Sequence, residues 1–125
     1  MGFFMINWYK GNTFSSVVTF YPNNFTLNAH ASTHFSKAPY CLIGIDKQDM
    51  LVVIKPVTEE QIKQEEIPQD HLHSIFIGKG YARISNKAIL KEVSELLNIS
   101  FDGVKYHAIF DKNMRMLLIN LNQPK

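Results

Sequence analysis

The sequence predicts a single α+β domain of 125 residues, rich in short strands and built from two similar halves. Three observations predict this class. Runs of β-branched and aromatic residues are separated by turns of Gly, Pro, Asn and Asp. One segment, residues 86–98, has the apolar spacing of an amphipathic helix. The order strand, strand, helix, strand, strand occurs twice along the chain.

The first repeat is predicted at residues 15–57. Pro56 is expected to stop its last strand, because proline cannot donate a ladder hydrogen bond. Its elements are, in order, a strand after residue 15, a turn at 22–24, a strand at 25–27, one or two helical turns at 29–35, a strand at 40–45, a turn at 46–49 and a strand at 50–54.

The second repeat is predicted at residues 74–122. Its helix places five apolar residues on one face, and Ser85 or Asn86 is expected to cap its start. The elements are a strand at 74–77, a turn at 78–80, a strand at 81–84, the helix at 86–98, a turn at 101–103, a strand at 105–110, a turn at 111–113 and a strand at 115–121.

The two repeats also align residue by residue. FTLN in the first matches ARIS in the second, and DKQDMLVVIK matches DKNMRMLLIN without a gap. The second copy has a helix about two turns longer. These matches indicate an internal duplication. The alternative is a chance similarity between two ordinary α+β halves.

Residues 58–73 form an acidic linker between the repeats. Thr58 and Gln61 have the spacing of a capping box, which predicts one or two helical turns there. The segment is either a solvated linker with a short helix or an acidic docking arm.

Composition excludes some classes of protein. With 46% hydrophobic and 19% charged residues, the chain can form a core and is not a disordered tail. A net charge of +2 neither implies nor excludes a nucleic-acid partner. Basic residues cluster only at Lys79, Arg83, Lys87 and Lys91.

The glycines of the stretch GKGYARIS do not form a phosphate loop. Gly78–Lys79–Gly80 lacks the upstream glycine and the Lys–Ser/Thr pair of a Walker motif, and it is not a dinucleotide fingerprint. A hairpin turn that needs positive φ is expected to account for both glycines. If the strand that follows is half-buried, Ala82 and Ile84 face the core and Arg83 faces outward.

The residues that commonly carry catalysis or metal binding are few. His71 and His73 share one face of an extended segment, and His30 and His34 share a helix face, but neither pair has the three or four ligands of a specific metal site. Cys41 lies in the apolar run YCLIGI, where burial raises rather than lowers the pKa of a thiol. We therefore expect no enzyme and no cofactor.

The repeat resembles the AbrB-like, swapped-hairpin unit. That unit has a strand of the type "K-G-R-I-T-I-P", a helix, and a hairpin with an Asp-containing turn. Here the second copy reads KGYARIS, NKAILKEVSELLNISFDGVKYHAIFD and MRMLLINL, and the first reads PNNFTLN, YCLIGID and MLVVIKP. Two such units in one chain are similar to the MraZ family, in which tandem copies form a pseudo-symmetric β-rich core. The resemblance covers about residues 17–56 and 74–121 and is one of pattern.

This resemblance implies a DNA-binding transcriptional regulator that contacts duplex DNA through Lys79, Arg83 and Lys87. The match is incomplete, because the acidic residue and the arginine of the family motif fall on Ile77 and Tyr81. The rival interpretation is a protein-interaction or accessory module that kept the fold without DNA binding. Alternatively, the basic residues only protect a solvated strand edge.

Four aromatic residues, Phe3, Phe4, Trp8 and Tyr9, precede the first repeat and are expected to pack on the core or to form an oligomer contact. The first residues lack the basic region and apolar stretch of a secretory leader, and no run reaches membrane-spanning length. We therefore expect a cytoplasmic homo-oligomer without a membrane partner.

Overall fold

A computed structural model describes residues 15–125, which form nine strands and three α-helices. The N-terminal aromatic residues lie outside the described range. The strands are β1 (Ser16–Phe20), β2 (Asn24–Leu27), β3 (Tyr40–Asp46), β4 (Leu51–Val57), β5 (His73–Ser74), β6 (Phe76–Gly78), β7 (Tyr81–Ser85), β8 (Val104–Asp111) and β9 (Met116–Pro124). The helices are α1 (Ala29–Ser32), α2 (Glu59–Glu65) and α3 (Lys87–Leu97), and short 3₁₀ turns follow at Thr33–Phe35 and Gln69–His71.

All strands join one antiparallel sheet in the order β5-β3-β4-β9-β8-β1-β2-β7-β6. The two ends of this order, β5 and β6, are separated in the chain by Ile75 alone. The sheet must therefore curl until its ends meet, and it forms a nearly closed barrel. The predicted β-rich α+β class is confirmed at this level.

The core fills the inside of the barrel. Phe20 is fully buried, and its ring centroid lies 4.8 Å from that of Phe25, 5.0 Å from Phe101 and 4.9 Å from Tyr106. Edge-to-face and tilted contacts at these distances are favourable for aromatic rings. The residues of this aromatic cluster are far apart in the chain and come into contact only in the folded structure.

Local sequence signals explain the helix boundaries. The Asn86 side chain accepts a hydrogen bond from the Ile89 N–H at 3.1 Å and caps α3, and Asn98 ends the helix in the left-handed region. In α2, Gln61 N–H donates to the Thr58 hydroxyl at 3.2 Å while Thr58 N–H donates to the Gln61 side chain at 2.9 Å. The predicted capping box is confirmed.

Three predicted boundaries were wrong. The strand expected at 74–77 is divided at Ile75 between β5 and β6, because the chain leaves one end of the sheet and enters the other there. Pro56 does not end β4, which continues to Val57. The β4–β9 ladder stops at Ile54, so Pro56 lies where one side of its strand is unpaired, a position that tolerates proline. The last strand continues to Pro124, beyond the expected residue 121.

Candidate nucleic-acid-binding face

Arg83 lies in the middle of β7 and points away from the core. Its neighbours Ala82 and Ile84 are fully buried, whereas Arg83 is exposed, so the predicted alternation along this strand is confirmed. The guanidinium carbon lies 5.4 Å from the centre of the Phe76 ring on β6. This cation–π contact orients the guanidinium without neutralising its charge. Arg83 therefore remains available to an anion.

A cross-strand row on the outer face contains Arg83. The register pairs Phe76 with Arg83, Arg83 with Thr26, Thr26 with Thr19, and Thr19 with Lys105. Lys105 is exposed, and its ammonium donates a hydrogen bond to the Thr19 hydroxyl at 3.3 Å. Two cations thus flank two threonines across β8, β1, β2 and β7. We refer to these five residues as the basic row.

The two cations of the basic row are separated by three strand spacings, or about 14 Å. Two hollows adjoin the row. One, of about 390 Å³, is lined by Lys105, Lys125, Tyr81 and the two threonines, and the other, of about 510 Å³, by Arg83, Phe76 and His73 among others. Lys125 is held beside Lys105 by a backbone hydrogen bond of 2.8 Å. The outer face is therefore concave on both sides of β7.

Lys79 lies in the two-residue turn between β6 and β7. Gly80 in this turn has φ +83°, as the sequence predicts for a hairpin glycine. The same explanation was wrong for Gly78, which has no positive φ. A Cβ at Gly78 would overlap the ring of Tyr81, which packs directly on this glycine. Close ring packing therefore accounts for Gly78.

Lys87 is the first residue of α3 and is exposed. Lys79 and Lys87 are each four residues from Arg83, in opposite directions along the chain. Four extended residues span about 13 Å, and the two lysines lie beyond opposite ends of β7, one in a turn and one in a helix. The three predicted residues thus follow the line of β7 and do not form a compact cluster.

The charge distribution favours anions at this face. Strands β1, β2, β6 and β7 contain no Asp or Glu. The acidic residues of the described chain lie in α2 and α3, in the turns and in the strand ends, as at Asp46 and Asp111. The one ion pair among residues 15–125, Lys47 with Glu92 at 3.7 Å, does not involve the basic row.

Three of the five histidines have structural partners. His73 Nδ1 lies 3.1 Å from the Asn86 side-chain nitrogen, and His30 Nδ1 lies 2.9 Å from the Ser16 hydroxyl. The His34 ring stacks on Phe110 with centroids 4.0 Å apart. Burial lowers the pKa of His34, and the charges of His30 and Lys112 lower it further. Within residues 15–125, no three His, Cys, Asp or Glu side chains are grouped as metal ligands.

Cys41 is fully buried in β3, facing the core. Burial raises the pKa of its thiol to about 12, in the direction that the sequence predicts. At neutral pH the group is a protonated thiol, which is a poor nucleophile.

Sequence reasoning missed Lys105, Lys125 and Thr19. Lys105 is distant in the chain from Arg83, and only the β1–β8 register brings it into the same row. The alternating pattern of residues 104–111 predicts that Lys105 faces outward. It does not indicate which strand lies beside it.

Comparisons with protein families, with curated proteins and with solved structures found no match to this chain. Among the described helices, none combines the length and the apolar character needed to cross a membrane.

Proposed function

We propose that this chain is a DNA-binding transcriptional regulator of the AbrB/MraZ-like type, acting in the cytoplasm on duplex DNA. The basic row is the observation that carries the proposal. It combines an oriented Arg83 and a distant Lys105 on strands that are mostly free of carboxylates. Lysine and arginine contacts to phosphates supply most of the affinity of such proteins for DNA.

The pairing registers support the duplicated core that this family type implies. Phe76 pairs with Arg83 in the second repeat, and Thr19 pairs with Thr26 in the first. The separation in sequence between Thr19 and Phe76 equals that between Thr26 and Arg83, so the two pairs occupy equivalent positions in the repeats. Thr26 and Arg83 correspond in the alignment of FTLN with ARIS, and they pair with each other. A pseudo-two-fold axis through this pair would relate β1–β2 to β6–β7.

The second hairpins support the same symmetry. Val53 and Leu118 correspond in the gap-free alignment, and they also pair with each other, between β4 and β9. Asp46 and Asp111 each accept hydrogen bonds at 2.9–3.1 Å from the backbone N–H groups two and three residues later. Met50 and Arg115 then take φ values of +56° and +57°. Two turns of the same construction at matched positions favour duplication over chance.

In the proposed complex, Arg83 and Lys105 bind phosphates on the two sides of a groove, and Lys79, Lys87 and Lys125 extend the contact. Arg83 is also placed to offer its two parallel N–H groups to a guanine edge. Thr19 is buried and the Thr26 hydroxyl donates to the Asn24 side chain, so the threonines space the two cations and the cations bind the phosphates. This arrangement fits a surface that follows the DNA backbone and reads few bases.

A gel-shift titration at low salt tests the proposal. The double variant Lys79→Ala/Arg83→Ala is compared with the wild type and with Lys63→Ala/Lys112→Ala, which removes the same charge from α2 and from the β8–β9 turn. We expect the first variant to lose binding and the control to retain it. Absence of any shift for the wild-type chain on mixed duplex DNA would refute the proposal, and so would equal loss in both variants.

The alternative is a protein-interaction module without DNA binding, and one observation favours it. Ile109 on β8 is 73% exposed, and its cross-strand neighbours Leu118 and Val53 are apolar as well. An interaction module would retain its partner at high salt, where phosphate contacts are lost. Salt resistance of a captured complex therefore distinguishes the two functions.

A further inference from the structure

The outer face of β3, β4, β9 and β8 carries a group of apolar side chains that other described elements do not cover. On these strands the inward side chains, such as Ile54 and Ile119, are fully buried. The outward side chains are only half-buried or exposed, and six of them are apolar: Leu42, Leu51, Val53, Ile109, Met116 and Leu118. Polar outward residues border this group: Asp46, Lys55, His107, Asp111 and Asn120. We call the six apolar residues, together with Gly44, the apolar face.

The centre of the apolar face is a row of four residues in register. Gly44 pairs with Val53, Val53 with Leu118, and Leu118 with Ile109. The side chains at the two ends of the row differ in how far they project from the sheet. Ile109 is 73% exposed, whereas Gly44 has no side chain and has no atom within 4 Å of the position that a Cβ would take. The row therefore has a projection at one end and a depression at the other.

We propose that the apolar face packs against the same face of a second copy of this chain. A two-fold axis parallel to the strands, passing between Val53 and Leu118, places Ile109 of each copy over Gly44 of the other. It also places Val53 over Leu118. Two sheets packed in this way are about 10 Å apart, so their side chains interdigitate. One operation thus fills both depressions, as an isologous interface requires.

The charged residues beside the row fit the same arrangement. Lys55 and Asp111 lie in the next row outward, on β4 and β8 respectively, where Lys55 pairs with Leu42 and Asp111 with Met116. The two-fold operation places Asp111 of the second copy one strand spacing, about 4.8 Å, to the side of Lys55. Opposite charges therefore approach each other twice, whereas the one like-charged approach, between Lys55 of the two copies, is also one strand spacing apart.

The small area of the contact indicates a weak dimer. Four strands and three rows of side chains cover about 400 Å² in each copy, or about 800 Å² in total. This area is below that of standard stable interfaces and belongs to weak, reversible complexes. We therefore expect a dimer that dissociates on dilution. It leaves Arg83 free, because β4 and β9 lie across the barrel from β2 and β7.

Sedimentation equilibrium between about 10 µM and about 1 mM, a range suited to weak complexes, tests the proposal. For the wild type we expect the average mass to rise from 14.4 kDa towards twice that value. Gly44→Ile fills the depression and Ile109→Gly removes the projection, so each is expected to weaken association at least tenfold. The exchange variant Gly44→Ile/Ile109→Gly is expected to restore it, because projection and depression are interchanged.

Ser85→Ile is the matched control, since it adds the same side chain at an exposed position on the other side of the barrel. Thermal unfolding at low concentration verifies that each variant folds, and Gly44→Thr replaces Gly44→Ile if the latter does not. A wild-type mass of 14.4 kDa at every concentration would overturn the proposal. The same result is expected if a different protein, and not a second copy, occupies the apolar face. An exchange variant no better associated than either single variant would overturn it as well.

Discussion

Replacing Lys105 by Ala tests whether cations on different strands act as one DNA-binding face. Lys105 lies on β8 and Arg83 on β7, and they are connected only through the register of the basic row. If both bind phosphates of the same duplex, removal of Lys105 must change the salt dependence of binding. If Lys105 is only a solvated surface residue, the salt dependence stays as it is.

The magnitude follows from the number of cations at the face. Five of them are proposed to bind phosphates: Lys79, Arg83, Lys87, Lys105 and Lys125. At about 0.9 counterions per phosphate, the logarithm of the affinity falls with the logarithm of the salt concentration with a slope of about −4.5. Between 50 and 200 mM salt, the wild type then loses about 500-fold in affinity. With four cations the slope is about −3.6 and the loss is about 150-fold.

Fluorescence anisotropy with a labelled duplex at four or five salt concentrations measures these slopes. Lys63→Ala is the control, because Lys63 lies on α2, outside the face. A slope that is the same for Lys105→Ala and the wild type would refute the basic row as a single face. An equal decrease in slope for Lys63→Ala would show that the effect follows net charge alone.

Three further predictions concern stability and reactivity. Gly78→Ala forces a methyl group against the half-buried Tyr81 ring, which must shift, and is expected to destabilise by about 1 kcal/mol in denaturant unfolding. Gly44→Ala has open space and is expected to cost nothing, so equal effects of the two substitutions would contradict this. The pKa of His34 is lowered in the fold, so the contribution of neutral His34 to stability is complete above pH 6.5 and falls as the pH decreases below that value. A His34→Phe variant should therefore show a smaller decrease in Tm from pH 7.5 to pH 5.5 than the wild type. An equal decrease in both proteins would disprove this prediction. Cys41, with a pKa of about 12, should react with a thiol reagent at pH 8 only after unfolding, and rapid labelling of the native chain would be the contrary result.

Elements with strong local signals were predicted correctly. Residues 86–98 carry the helical apolar spacing and the capping asparagine, and α3 spans Lys87–Leu97. The capping box at Thr58 depends on residues three positions apart, and it forms as predicted. Because these interactions join near neighbours in the chain, one sequence suffices to find them.

The explanation of Gly78 failed for a different reason. The two glycines in GKG look alike in sequence, which predicts turn geometry for both. Gly80 does have positive φ, but Gly78 is required by the ring of Tyr81, which lies across the hairpin. A requirement imposed by packing gives no local signal. The same holds for Pro56, whose tolerance in β4 depends on where β9 stops pairing.

The sequence by itself determined the order of elements, the outward direction of Arg83 and the burial of Cys41, because each follows from alternation, periodicity or apolar context within a few residues. Only the tertiary structure decided which strands lie side by side. That register joins Lys105 to Arg83 in the basic row, and it joins Gly44 to Ile109 in the apolar face. Cross-strand contacts depend on how the sheet closes, which no short stretch of the chain specifies.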